Sequence, residues 1–267
     1  MRAAIRLFDD TTRLQRLDDL RLPRDVNTRL YQALQQTAGV VLLTGPSGSG
    51  KTTTVYTCLR EILAETGDSK SLISLEDPIE QAVTGVTQSQ VRPSVRLDLA
   101  VGLRAMMRQD PDVIMVGEIH DQQTAEQVFR TALTGHLVLM TFHAGRSAEA
   151  VARLVELGIA PWLLRSTLHM IVCQRLVREF CGCRKEFAVA EESSSPQNRK
   201  PRHQDPVSCD QCSGTGFCGR FVIGEILFRT VHRLAQPCFS VLNGLGTDVI
   251  RLRRMLCGQP HTDRFHW

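Results

Sequence analysis

The stretch Val40-Val41-Leu42-Leu43-Thr44-Gly45-Pro46-Ser47-Gly48-Ser49-Gly50-Lys51-Thr52-Thr53 decides how the rest of the chain is read. An apolar run leads into a glycine-rich loop, and Val55 to Leu63 then reads as a helix. That is the strand–loop–helix setting in which a phosphate-binding loop has physical meaning. Glycines let the backbone turn tightly, so that successive N–H groups point inward at phosphate oxygens. The helix that follows offers its positive dipole end to the same anion. Lys51 is placed to reach the β- and γ-phosphates and the Thr52 hydroxyl to hold Mg²⁺, while Gly45, Pro46, Ser47, Gly48, Ser49, Gly50 and Thr53 complete the cradle. A Gly/Ser-rich turn that binds nothing is the plain alternative. It leaves unexplained why every fixed position is filled between the correct flanks. The stretch implies a nucleoside triphosphate.

The 267 residues suffice for one large domain, or for one with a small appendage. A net charge of +4 is too mild to argue for nucleic acid or an anionic membrane. No apolar run has the length of a membrane span, and the start does not resemble a signal peptide, so a cytoplasmic protein is expected. Nine cysteines are many for that compartment, where clustered thiols are read first as metal ligands.

Residues 1–25 are polar, with scattered leucines, and read as a lead-in left by an absent N-terminal domain. Residues 26–180 form the core. Asp25 to Thr37 has apolar residues at helical spacing. A second strand, Ser71 to Leu75, delivers Glu76 and Asp77 at its carboxyl end, where open α/β sheets bind ligands. Val83 to Val91 reads as an edge strand or hairpin, and Leu97 to Met107 as a helix exposing Arg104 and Arg108. A third strand, Val113 to Val116, ends in Gly117-Glu118, the form of an acid that supports Mg²⁺ after a phosphate loop. Asp121 to Thr134 is an amphipathic helix with Asp121 as its cap. The fourth strand, Leu137 to Phe142, lies between His136 and His143. His143 is expected on the same sheet edge as Glu118 and the loop. Ala148 to Leu157 reads as a helix, and so does the largely apolar Pro161 to Arg178.

Residues 181–220 carry two cysteine pairs, Cys181/Cys183 and Cys209/Cys212, around a Ser/Pro-rich loop at 191–202 that reads as mobile. Four thiolates in two pairs suit tetrahedral, structural Zn²⁺. The first pair is one residue short of the usual spacing, and Cys218 or His203 are alternative ligands. Residues 221–267 form a C-terminal segment.

Four blocks now stand in order: Gly45–Tyr56, Ile73–Glu80, Leu103–Asp121, and Ala132–His136 through His143-Ala144. Together with the cysteine pairs, Gln174-Arg175-Leu176-Val177 and Gly216-Phe217-Cys218-Gly219-Arg220, they resemble the secretion ATPases of type II secretion and type IV pilus assembly over roughly residues 25–235. The resemblance implies an α/β fold, a RecA-like P-loop NTPase core with a small C-terminal tetracysteine module, helical or irregular. It implies a homo-hexameric ring that hydrolyses ATP with Mg²⁺ at its subunit interfaces. The ring works in the cytoplasm, peripheral to the inner membrane, and drives pilus or pseudopilus assembly through an inner-membrane platform protein. By this resemblance Glu76 polarises the attacking water, Glu118 supports the metal, and His136 and His143 sense the γ-phosphate.

Departures from the family accompany the match. His120 stands where an arginine is usual, and the upstream domain whose arginines complete the site is not in the sequence. An arginine finger contributes ~10³–10⁵ in rate. An alternative expectation is therefore a truncated paralogue that binds ATP and a partner but hydrolyses poorly. A nucleic-acid motor is disfavoured by the near-neutral charge and the lack of a basic–aromatic platform. GTP is disfavoured by the absence of an Asn-Lys-x-Asp element.

Overall fold

A computed structural model describes residues 16–95, 97–183, 209–228 and 250–251. Its centre is an eight-stranded sheet with the order β3-β2-β4-β5-β1-β6-β7-β8. The strands are β1 (Gly39–Thr44), β2 (Leu72–Glu76), β3 (Thr87–Gln90), β4 (Val113–Glu118), β5 (Leu137–Phe142), β6 (Leu168–Phe180), β7 (Phe217–Phe228) and β8 (Ile250–Arg251). All neighbours from β3 to β6 are parallel, whereas β7 and β8 are added antiparallel.

Helices cover both faces, as a parallel sheet requires. The helices are α1 (Arg24–Leu34), α2 (Lys51–Thr66), α3 (Leu99–Met106), α4 (Gln122–Leu133), α5 (Ser147–Glu156) and α6 (Pro161–Thr167). Successive residues of β1 point to opposite faces. Val41 and Leu43 join the core under α1 and α2, with Leu30 and Leu59. Val40 and Leu42 join the core under α3 to α6, with Phe129 and Leu154. Among the described residues, no helix is long and apolar enough to cross a membrane.

Strands β2, β4 and β5 fall where the sequence places them. Asp98 and Asp121 cap α3 and α4 by accepting from Val101 N and Thr124 N at 2.7 and 2.8 Å. Arg104 and Arg108 are exposed, the latter in a 3₁₀ turn over Met107–Gln109. Of the stretch Val83 to Val91, only Thr87–Gln90 is a strand, and it pairs parallel with β2, which excludes a hairpin.

The expected helix over Pro161 to Arg178 is wrong beyond its first two turns. Helix α6 stops at Thr167, and the chain continues as β6. Residues Met170 to Gln174 are all buried because β6 lies between β1 and β7 with both faces covered. Burial on both faces erases the alternation that would have marked a strand.

In the stretch read as a lead-in, Leu17, Leu20 and Leu22 are buried in the core beneath α1 and α2. Leu17 N donates to Glu61 Oε2 at 2.8 Å, and Arg16 pairs with Glu61 Oε1 at 2.8 Å. The loop at 191–202, His203, and all of 229–267 except Ile250–Arg251 lie outside the described residues.

Candidate functional site: the loop after β1

The topology reverses at β1, which lies between β5 and β6, so a crevice opens beyond its carboxyl end. The phosphate loop fills that position, and α2 begins at Lys51. Gly45 has φ +148°, and a Cβ there would lie 2.3 Å from the Gln174 backbone oxygen and 2.6 Å from Ser49 Oγ. Only glycine fits between loop and strand. Lys51 Nζ donates to the Gly45 and Pro46 carbonyls at 2.9 and 3.3 Å. Partial burial lowers its pKa, while Glu118, Cys173 and Glu80 act in the opposite sense. Both Glu118 and Glu80 therefore belong to the electrostatic surroundings of the loop lysine.

Glu118 arrives through a bulge. The register of β4 against β5 shifts between Val116 and Glu118, and His143 at the end of β5 brings Nδ1 to 3.7 Å from Glu118 Oε1. Both side chains are partly exposed, at 52 and 38 %. Thr44 Oγ1 donates to the Ala144 carbonyl at 3.0 Å, tying the ends of β1 and β5 together. Lys51, Glu118 and His143 thus share one sheet edge.

His136 does not. It precedes β5 and lies at the opposite edge, one strand length from the loop, where Nδ1 stands 3.2 Å from both the Thr131 carbonyl and Thr134 Oγ1. Within this chain it does not reach the loop, because a strand of six residues separates the two edges by about 20 Å. The reason is directional: in a parallel sheet, only residues that follow a strand reach the loop edge.

Glu76 is 2 % exposed. Its Oε2 accepts from Tyr56 Oη, and its Oε1 accepts from Ser74 Oγ at 2.5 Å and Gln88 Nε2 at 3.0 Å. Both carboxylate oxygens are therefore taken up inside the protein. Tyr56 Oη also accepts from the Glu80 and Gln81 backbone N–H groups at 3.1 and 3.4 Å. Burial first, and then the Glu76 contact, raises the Tyr56 pKa, so the phenol remains a donor. This network joins α2 to the turn that carries Glu80, a half-exposed carboxylate. The sequence reading gave no role to Tyr56, Ser74, Gln88, Gln174 or Glu80. For Glu80 the available signal was its place in the turn after a strand end already marked by acids.

The cysteine pairs meet at the outer end of the β6–β7 ribbon. All four Sγ atoms of Cys181, Cys183, Cys209 and Cys212 lie within 4.8 Å of one another. Two separations are 3.8 Å (Cys181–Cys209) and 3.7 Å (Cys183–Cys212). Sulfurs about 2.3 Å from a tetrahedral Zn²⁺ stand about 3.8 Å apart, so the donor set fits that ion. The shortened first pair does not prevent the convergence. Gly216 N donates to Cys212 Sγ at 3.3 Å, and the Cys183 backbone N–H leads the effects that hold the Cys181 thiol below its ordinary pKa. Cys218 is not one of the four and donates instead to the Gln211 carbonyl at 3.0 Å.

A family model described as Type II/IV secretion system protein matches residues 1–238. The chain belongs to that family. It is 40 % identical over 239 residues to type II secretion system protein HxcR of Pseudomonas aeruginosa, a match covering 87 % of this chain and 48 % of the relative. It is 37 % identical over 233 residues to the type IV pilus assembly ATPase PilB of Thermus thermophilus, covering 85 and 26 %. The chain therefore spans half or less of the length of these relatives. Among solved structures, the pilus retraction motor PilT with bound ADP superposes with a TM-score of 0.61 at 28 % identity, covering 85 % of this chain and 56 % of PilT. The Legionella pneumophila ATPase DotB gives 0.55 at 27 % identity, covering 80 and 50 %. The resemblance to secretion ATPases and the α/β fold read from the sequence both hold.

Proposed function

We propose that this chain is the ATP-binding and ATP-hydrolysing motor domain of a secretion ATPase that powers type II secretion or type IV pilus assembly. The observation that carries the reading is the convergence of Lys51, Glu118 and His143 at the mouth of a glycine loop that opens a helix. The related fold that holds ADP in PilT supports an adenine nucleotide there. The backbone from Gly45 to Thr53 cradles the phosphates, and Lys51 releases the Gly45 and Pro46 carbonyls to reach the β- and γ-oxygens. Mg²⁺ would be held by Thr52 and Glu118, and when bound it neutralises phosphate charge. His143, beside Glu118, offers a donor to the γ-phosphate.

The water-polarising role belongs to Glu80 rather than Glu76. Glu76 is buried with both oxygens occupied, whereas Glu80 is half-exposed and acts electrostatically on Lys51. Glu76 instead holds Tyr56, which holds the Glu80 backbone. Glu80 accepts a proton as water attacks the γ-phosphorus, and the departing group is ADP.

The four cysteines hold structural Zn²⁺. The core begins at Leu17, runs through residue 180 and takes in β7, with the tetracysteine module inserted between β6 and β7. The ring is a homo-hexamer working with an inner-membrane platform protein on the cytoplasmic side. Equilibrium titration with Mg-ATP tests the site itself: wild-type chain binds and Lys51→Ala binds far more weakly. Equal binding by both would refute it.

A further inference from the structure

Gln174 is the polar residue of an otherwise apolar, fully buried run in β6, and it is 0 % exposed. Its backbone is fixed on both sides. The preceding residue, Cys173, registers with Thr44 of β1, and Gln174 itself with Gly224 of β7. Its side chain makes one hydrogen bond, from Nε2 to the Ser49 carbonyl at 2.8 Å. Its Oε1 and the nearby Ser49 Oγ are both buried, with no hydrogen-bond partner among the described residues. Burying a carboxamide with an unpaired oxygen costs more than burying an aliphatic side chain of the same size, so packing alone does not call for glutamine here.

What the bond does follows from peptide geometry. In a trans peptide the C=O and N–H groups point in opposite directions. The Ser49–Gly50 unit has its carbonyl drawn toward the strand by Gln174, which turns the Gly50 N–H the other way, away from β6. Gly50 has φ +87°, and a Cβ there would lie 3.2 Å from Gln174 Nε2, so loop and amide fit against each other closely. A Cβ on Gly45 would come closer still, 2.3 Å from the Gln174 carbonyl oxygen.

We infer that Gln174 is a positioning residue for the phosphate cradle: from a neighbouring strand, it sets the Ser49–Gly50 peptide so that an N–H faces the phosphates. The inference rests on the nucleotide reading above and deepens it. Gln174 touches no phosphate. Its effect reaches the ligand only through the backbone that it holds.

The test is calorimetric titration of wild-type chain, Gln174→Leu and Gln174→Glu with Mg-ADP and with inorganic pyrophosphate, which probes the cradle without the base. The expected result is about 10-fold weaker binding of both ligands by Gln174→Leu, with unchanged stoichiometry. Gln174→Glu, which keeps the shape but sets a carboxylate against the Ser49 carbonyl, should bind more weakly still. A purely structural role would lower the binding-competent fraction and leave the dissociation constant of that fraction unchanged, which would overturn the inference. So would folded variants that bind within about two-fold of wild type. Wild-type chain that binds neither ligand would remove the nucleotide reading itself, and the inference with it.

Discussion

Replacing Tyr56 with Phe removes one oxygen that serves three partners. In the folded protein that oxygen donates to Glu76 and accepts from the Glu80 and Gln81 N–H groups. Tyr56 and Glu76 are each 2 % exposed, so water cannot take over the bond to the carboxylate. A hydrogen bond to a buried charged group is worth about 2 kcal/mol. The two N–H groups belong to half-exposed residues that water partly reaches, and their loss adds about 1 kcal/mol. Tyr56→Phe should therefore lose about 3 kcal/mol of stability and, for a domain of this size, about 6–12 °C in Tm. Urea unfolding followed by circular dichroism reads this directly. If the variant also hydrolyses ATP slowly because Glu80 is loosened, kcat should fall more than KM rises. A loss under about 1 kcal/mol would mean that the Glu76 network does not anchor the acidic turn.

Three further outcomes follow from the same geometry. Glu80→Gln should lower kcat by about 10²–10⁴ with little change in stability, whereas Glu76→Gln should lower stability as well, and paired steady-state and unfolding assays separate the two. Elemental analysis should find zinc in the purified chain and a loss of it in Cys212→Ser, since Cys212 belongs to the four-sulfur set; unchanged zinc content would exclude that set. Burial raises the thiols of Cys58 and Cys173, the latter to about 11, and the phenol of Tyr56. Each raised acid contributes stability that is intact below its ordinary value, 9.0 for the thiols and 10.0 for the phenol, and is lost as pH climbs toward the folded value. The urea midpoint should thus hold to about pH 8.5 and fall above it, less steeply in Cys58→Ala.

The legible parts of this protein were those where function restricts residue type. The loop from Gly45 to Thr53, the acid at Glu118 and the histidine at His143 each follow a short apolar strand. Strand direction alone sends them to one edge. The same rule applied to His136, which precedes its strand, and would have placed it at the far edge. Strand β6 was not legible, because its run from Met170 to Gln174 is covered on both faces and carries no period of two. Only the neighbours β1 and β7, distant in sequence, make it a strand. Tyr56 read only as part of the helix after the loop, and its hydroxyl has meaning only once the turn after β2 is folded onto α2. Leu17, Leu20 and Leu22 looked scattered because a 3₁₀ turn and the bend at Arg21, with φ +52°, bring them to one face. The cysteines were legible as a donor set, and folding supplied the 3.7 and 3.8 Å spacings that suit one tetrahedral ion.

The motor domain we propose performs its chemistry at the loop after β1. Steady-state Mg-ATP hydrolysis across a series of protein concentrations, with Lys51→Ala and Glu80→Gln as controls, tests it most directly. Specific activity should rise with protein concentration, as a ring assembles, should vanish in Lys51→Ala and should fall by about 10²–10⁴ in Glu80→Gln. Turnover that is absent at every concentration, or that survives Lys51→Ala, would contradict it.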